Sequence, residues 1–296
     1  MTAITELAPA KINLALHVTG QRSDGYHLLE TLVTFADAGD LLTFTAADSD
    51  RLTVSGRFGP LLSADPGQPQ DNLVLTALSR LRDAVTGLGH SPRPVHIHLE
   101  KNLPVAAGIG GGSADAAATI RGLLRFWGVA LPAGTLDALC LGLGADVPMC
   151  LARRPLVARG IGEALTLLPS LPRLALVLAN PLMPVSTPAV FRRLTNKQNP
   201  PLVLADDLTT EASWLDAIAR LRNDLEPPAR QLLAEIAGIS QDLHDSGADL
   251  VRMSGSGATC FGIYPDIEAA RRAERQLHSR RPDWYFQATE TRGGGE

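Results

Sequence analysis

Four glycines crowd residues 108–112 of the stretch Pro-Val-Ala-Ala-Gly-Ile-Gly-Gly-Gly-Ser-Ala-Asp-Ala-Ala, residues 104–117, and they carry the clearest chemistry in the chain. Gly108, Gly110, Gly111 and Gly112 have no Cβ, so the backbone can turn sharply and bring its N–H groups close to a ligand. Ser113 then reads as the cap of an alanine-rich helix running from about Ala114 to Phe126. A helix start adds unpaired N–H donors and a partial positive charge, and such a loop cradles phosphate oxygens. It is not a Gly-Lys-Ser/Thr loop, because no lysine falls between Asn102 and Lys197. The dinucleotide pattern G-x-G-x-x-G also fails, since Ser113 stands where its third glycine is required. A glycine turn without a ligand is the plain alternative, but glycine this dense is costly in backbone entropy.

The elements that must hold this loop are legible around it. Val95-His-Ile-His-Leu-Glu100 alternates strictly, with Val95, Ile97 and Leu99 on one face, and reads as a half-buried strand leading into the loop. The opening third is mainly β: Lys11 to Val18, Leu41 to Thr45 and Leu52 to Ser55 are strand-like. Residues 56–70, rich in Gly, Pro and Gln, read as a surface loop. Asp71 reads as the cap of a helix with an apolar stripe at Leu75, Leu78, Leu81 and Val85. Leu131 to Leu143 is helical. After Arg153-Arg154-Pro155 the character shifts: a bend at 160–165, an apolar strand at Leu174 to Leu178, and a Pro-punctuated connector around a short helix near Val190. Helices at 212–222, 228–236 and 267–280 and strands at 251–254 and 258–263 complete the chain, with a frayed end at 292–296.

The chain has 296 residues, 45% of them apolar, enough for one large core or two moderate ones. Its net charge of −4 and the lack of a basic cluster argue against nucleic-acid binding, so a polyanionic ligand must be held by local devices. The N-terminus lacks a signal-peptide pattern and no apolar run is long enough to span a bilayer, which gives the expectation of a cytoplasmic protein without a membrane partner. Cys140, Cys150 and Cys260 lack C-x-x-C spacing and read as buried free thiols.

The glycine loop resembles the phosphate loop of the GHMP kinases, the family of galactokinase, homoserine kinase and mevalonate kinase. Ala8-Pro-Ala-Lys-Ile-Asn-Leu-Ala-Leu16 resembles the family's N-terminal motif, and Arg252-Met-Ser-Gly-Ser-Gly-Ala-Thr-Cys-Phe261 its C-terminal glycine motif. Further marks are Arg22-Ser-Asp-Gly-Tyr-His27, Gly144-Ala-Asp-Val-Pro148, Val185-Ser-Thr-Pro-Ala-Val-Phe191 and Arg222-Asn-Asp-Leu-Glu226, so the resemblance covers nearly the whole chain. Ala106-Ala107 departs from it, standing where one or two glycines are expected. The resemblance implies a two-domain α+β kinase with its active site in the cleft between domains. It implies an ATP-binding domain over 1–155 and a substrate-side domain over 156–296, the boundary being read from the shift near 155.

The activity it implies is ATP-dependent phosphorylation, with Mg2+, of a small acceptor. The marks point to a cytidine diphosphate-linked methylerythritol, phosphorylated on its 2-hydroxyl in the non-mevalonate route to isoprenoid precursors, by a monomer or weak homodimer. On the residues alone, Lys11 could equally be an edge-strand lysine and Asp146 an ordinary turn aspartate. The resemblance makes Asp146 the general base and Lys11 the cation that stabilises the developing alkoxide. ATP would be held by Pro104, Val105, Ala106, Ala107, Gly108, Ile109, Gly110, Gly111, Gly112, Ser113 and Ala114, with Ser113 serving as cap, as a hydroxyl near phosphate and magnesium, or as both. Asn72 is either an adenine contact or part of a capping pair. Lys101 either flanks the nucleotide or is a solvated strand-end lysine. Asn13, Tyr26, His27, Asp146, Thr187 and Phe191 would bind the acceptor, with Tyr26 and His27 at the cytidine. Gly255-Ser-Gly257 either closes over the site or is a hairpin turn packed on the first loop.

Overall fold

The computed structural model describes residues 3–63, 72–105 and 107–295. The expected cap at Asp71, the site residue Ala106 and the last residue, Glu296, lie outside them. The described chain separates into two compact units. One is built from residues 3–10, 39–63, 72–105 and 110–152, and the other from 11–38, 107–109 and 153–295, so the second unit takes segments from well before position 155.

Two long strands, β1 (Ile4–Gln21) and β2 (His27–Ala46), run through both units and pair with each other. Both exceed the short runs expected at 11–18 and 41–45. Small residues at Ala8, Ala10, Ala15 and Ala36, and buried polar ones at Asn13, His17, Thr31 and Thr34, interrupt the apolar alternation that marks a strand.

In the first unit the end of β2 pairs antiparallel with β4 (Val95–Glu100), which pairs parallel with β3 (Arg51–Ser55). β4 alternates buried and half-buried along its whole length, as its sequence requires. A short helix, α1 (Gly59–Ser63), occupies part of the expected 56–70 loop. Helix α2 (Leu73–Gly87) buries Val74, Ala77, Leu78, Leu81 and Val85, and packs on α3 (Gly111–Trp127). The buried small residues of α3 let neighbours come close: a Cβ on Gly122 would overlap the ring of Phe44. α4 (Ala133–Leu143) and α5 (Val147–Ala152) complete this unit.

In the second unit the start of β2 pairs with β5 (Leu156–Gly160), and β5 with β6 (Ala164–Leu167); the expected bend is the turn of this hairpin. A separate antiparallel sheet has the order β10-β7-β9-β8: Tyr285–Glu290, Ala175–Asn180, Cys260–Tyr264 and Leu250–Met253. β7 is buried throughout, as its unbroken apolar run demands. α6 (Thr187–Arg193), α7 (Glu211–Arg220), α8 (Glu226–Leu232), α9 (Glu235–Asp245) and α10 (Ile267–Arg280) belong to this unit. Ile236, Ile239 and Leu243 of α9 and Ala270, Ala273 and Leu277 of α10 meet Val177, Ala179 and Phe286 in its core. The end of the chain is not frayed through residue 294. Gly294 donates to Leu171 O at 2.9 Å and accepts from Arg154 at 2.8 Å.

Candidate active site

The first unit presents the glycine loop's outgoing half. Gly110 has a left-handed backbone at φ +65° and occupies the cap position of α3, its carbonyl accepting from Ala114 N–H at 2.8 Å. Ser113 is therefore the third residue of the helix and not its cap. The left-handed turn suits glycine, and it starts the helix three residues earlier than the serine suggested. Gly110 offers no capping side chain, so the amides of Gly111, Gly112 and Ser113 gain no cap bond at the positive end of α3. Gly112 is exposed, Gly111 and Ser113 half-buried, and Ala114 buried. On the incoming side Pro104 is buried and Val105 exposed.

Lys101 is not solvated. Its side chain is 3% exposed, and its ammonium donates to Asp40 Oδ2 at 2.5 Å and Asp115 Oδ2 at 2.6 Å. Burial alone would lower the Lys101 pKa, but Asp115 and Asp40 hold it above its ordinary value. Burial pushes the Asp115 carboxyl up, against the pull of Lys101. Asn72 caps α2, its Oδ1 accepting from Val74 N–H at 2.9 Å. Asp146 immediately precedes α5, its carbonyl accepting from Cys150 N–H at 3.1 Å, with its side chain half-buried.

The second unit holds the acceptor-side candidates other than Asp146. Lys11 and Asn13 are buried on β1. Lys11 N–H donates to Ile109 O at 2.9 Å, and Asn13 N–H to Ser254 Oγ at 3.0 Å. Ser254 Oγ in turn donates to Gly108 O at 3.2 Å, and Thr259 N–H to Ala107 O at 3.1 Å. Gly108 has φ +74°, and a Cβ on it would lie 2.7 Å from both Gly257 O and Ser254 O. The Gly255–Gly257 turn is thus seated on residues 107–109. Asn13 Nδ2 donates to Thr31 at 2.8 Å, while its buried Oδ1 has no hydrogen-bond partner among the described residues.

Tyr26 closes a tight turn, its carbonyl accepting from Arg22 N–H at 2.7 Å and its side chain 62% exposed. The next ring, His27, stacks on Phe191 with centroids 4.7 Å apart and planes at 25°. Burial, with the nearby Lys197 charge, lowers the His27 pKa, so the ring is neutral at pH 7. Its buried Nε2 has no hydrogen-bond partner among the described residues. Phe191 is carried by α6, at whose start Thr187 Oγ1 meets Ser256 Oγ at 2.6 Å. The geometry therefore brings together Lys11, Asn13 and loop residues 107–109 through Ser254, and His27 with Phe191.

Comparison with known proteins identifies the family. Residues 72–154 match the GHMP kinases N terminal domain, and residues 204–283 the GHMP kinases C terminal domain. The chain is 63% identical over 292 residues to the 4-diphosphocytidyl-2-C-methyl-D-erythritol kinase of Rhizobium etli, covering 99% of this chain and 96% of that protein. This chain belongs to the GHMP kinase family. The crystal structure of a 4-(cytidine 5'-diphospho)-2C-methyl-D-erythritol kinase matches with a TM-score of 0.80 at 34% identity, over 98% of this chain and 100% of that one. A homoserine kinase from Cytophaga hutchinsonii shares the fold, with a TM-score of 0.69 at 18% identity over 99% of this chain and 96% of that one.

As a GHMP kinase the chain is an α+β, ATP-using small-molecule kinase. Among the described residues no group of three or more His, Cys, Asp or Glu is arranged to hold a metal. Magnesium accompanying ATP is held by one or two carboxylates with the substrate phosphates and water supplying the other oxygens, so it does not require such a group. The three cysteines are free and buried, and no described helix is long and apolar enough to cross a membrane.

Sequence reasoning assigned no role to Asp40, Asp115, Ser254 or Asn223. Asn223 donates to Met253 O at 2.7 Å and Gly255 O at 2.8 Å, holding the glycine turn from behind. Its presence in the Arg222-to-Glu226 mark was the available signal. For Asp40 and Asp115 the signal was a charge set in otherwise apolar surroundings, which gives no hint of a shared partner.

Proposed function

We propose that this chain transfers the γ-phosphoryl group of ATP to the 2-hydroxyl of 4-diphosphocytidyl-2-C-methyl-D-erythritol. The observation that carries the choice of acceptor is the neutral His27 ring stacked on Phe191 with its buried Nε2 unpartnered. A flat, partly desolvated pair of rings with one free edge nitrogen suits a nucleobase that stacks and hydrogen-bonds. Tyr26, Thr187 and Asn13 complete the acceptor contacts. Neither homoserine nor mevalonate has a base for such a pair to grip.

In the reaction Asp146 takes the proton of the acceptor hydroxyl, the oxygen attacks the γ-phosphorus, and ADP departs with the electrons of the broken P–O bond. The Lys11 ammonium stabilises the charge that develops on the attacking oxygen. The amides of Gly108 to Ser113 hold the phosphates, flanked by Pro104 to Ala107 and Ala114, with Asn72 toward the adenine. Magnesium bound with ATP neutralises phosphate charge. The reading includes a cytoplasmic monomer or weak homodimer without nucleic-acid or membrane partners, which sedimentation and fractionation would check. ADP release measured with the cytidyl acceptor beside homoserine and mevalonate tests the choice of substrate. Release with the cytidyl acceptor alone is expected, and preference for either other alcohol contradicts the reading.

A further inference from the structure

We infer that Lys101 is a positioning residue for the phosphate loop rather than a ligand of the nucleotide: its ammonium, clamped by Asp40 and Asp115, ties the segment entering the loop to the helix leaving it. The inference rests on the kinase reading above and deepens it.

Lys101 follows directly on β4 and its main chain is fixed on both sides. Its N–H donates to Ser55 O at 2.8 Å, and its carbonyl accepts from Phe58 N–H at 2.9 Å. Gly56, at φ +86°, passes so near that a Cβ there would lie 2.6 Å from Lys101 O. From this anchored backbone the ammonium reaches two carboxylates whose side chains are 0% and 5% exposed. Asp40, on β2, uses its other oxygen to accept from Asn102 N–H at 2.6 Å and Leu103 N–H at 2.8 Å. Those residues lead into Pro104. Asp115 stands on α3 four residues after Gly111, on the same helix face. A Cβ on Gly111 would lie 3.2 Å from the Lys101 ammonium nitrogen. One cation thus fixes the loop's entry through Asp40, and its exit through Asp115 and the back of Gly111.

Charge attraction cannot be the purpose of this cluster. The one ammonium is shared by two carboxylates, so the cluster has no surplus positive charge for drawing in phosphates even with the Asp115 carboxyl pushed up by burial, and Lys101 is too buried to be reached. Its effect is on where the amides of Gly111, Gly112 and Ser113 point. The two explanations part on removal of a carboxylate. A charge effect predicts tighter or unchanged ATP binding without Asp115, whereas a positioning effect predicts weaker binding.

The test compares wild type, Asp115→Ala and Asp115→Asn by calorimetric MgATP binding and by steady-state kinetics with the cytidyl acceptor. Asp115→Ala should weaken MgATP binding on the order of tenfold, raise the KM for ATP in parallel and leave the acceptor KM unchanged. Asp115→Asn, whose amide oxygen still accepts from Lys101, should recover most of the loss and stay about two- to threefold weaker. Unchanged or tighter MgATP binding in the folded variants overturns the inference. So does a smaller active fraction with intact ATP affinity, the mark of stability loss alone. If the alanine variant does not fold, the asparagine variant decides by the same criteria. A wild type that binds MgATP without acceptor-dependent ADP release refutes the kinase reading, while the binding comparison still reads the positioning role.

Discussion

Asp146 and Lys11 carry the proton and the charge in the proposed reaction, and single substitutions separate them from the fold. Asp146→Asn should keep ATP binding and lower kcat by about 10²–10⁴-fold. Turnover unchanged in that variant removes Asp146 as the base. Lys11→Ala should lower kcat strongly, and the double variant should lose less than the product of the two if they act as a unit. His17 offers a separate pH test. It is buried on β1, and its Nε2 accepts from Arg222 N–H at 3.3 Å. Burial, then the Arg222 charge, lowers its pKa below 6.5. The unfolded chain therefore binds this proton more readily. The stability His17 contributes is full above pH 6.5 and is lost as pH falls through the lower folded value. Acidification from pH 7.5 should depress the Tm of the wild type more than that of His17→Gln, and equal slopes would contradict the assignment.

At the scale of elements, the loop glycines separate stability from function. Gly112 lies in the first turn of α3, and a Cβ on it would make an ordinary 3.5 Å contact with Leu73. Gly112→Ala should therefore be neutral or stabilising by up to about 1 kcal/mol, while weakening ATP binding because a side chain enters the phosphate approach. A Tm scan with ATP titration decides, and unchanged ATP affinity would mean that phosphate does not approach there. Gly108→Ala, by contrast, meets two carbonyl oxygens in a left-handed turn and should destabilise by about 1–3 kcal/mol. On the acceptor side, His27→Ala and Phe191→Ala should each weaken acceptor binding by about 1–3 kcal/mol with ATP affinity unchanged, measured by titration.

The same elements show what sequence can and cannot tell. β4, α2 and α10 were legible because one apolar face repeats along each, and β7 because its apolar run is unbroken. The start of α3 was misplaced because a serine near a helix start usually caps it, whereas a glycine turn does so here. α9 was read only at its first residues, and β10 was missed. β10 is six residues long and its burial does not alternate, and its place comes from pairing along β7, a partner more than a hundred residues away.

Across the whole molecule, Arg252 shows how distant segments are joined. It is buried, with Nη1 donating to Leu14 O at 2.5 Å and Ile218 O at 3.1 Å, and Nη2 to Leu221 O at 2.8 Å. Burial lowers its pKa to about 10, so it remains charged at neutral pH. Arg252→Met would strand three carbonyls and should destabilise by about 3 kcal/mol or more in chemical denaturation. A change within 0.5 kcal/mol, about the size of a surface substitution, would contradict this. Nothing in the sequence distinguished Arg252 from its neighbours, since its partners come from two other segments, β1 and the end of α7. The family's motifs were legible because each is a contiguous run, whereas the Asp40–Lys101–Asp115 cluster forms only on folding. The central claim is the transfer itself, and ³¹P NMR of the product tests it most directly. With ATP, magnesium and the cytidyl acceptor, one new phosphomonoester coupled to the carbon bearing the 2-hydroxyl should appear for each ADP formed. ADP formed without that signal, or phosphate on another hydroxyl, would contradict it.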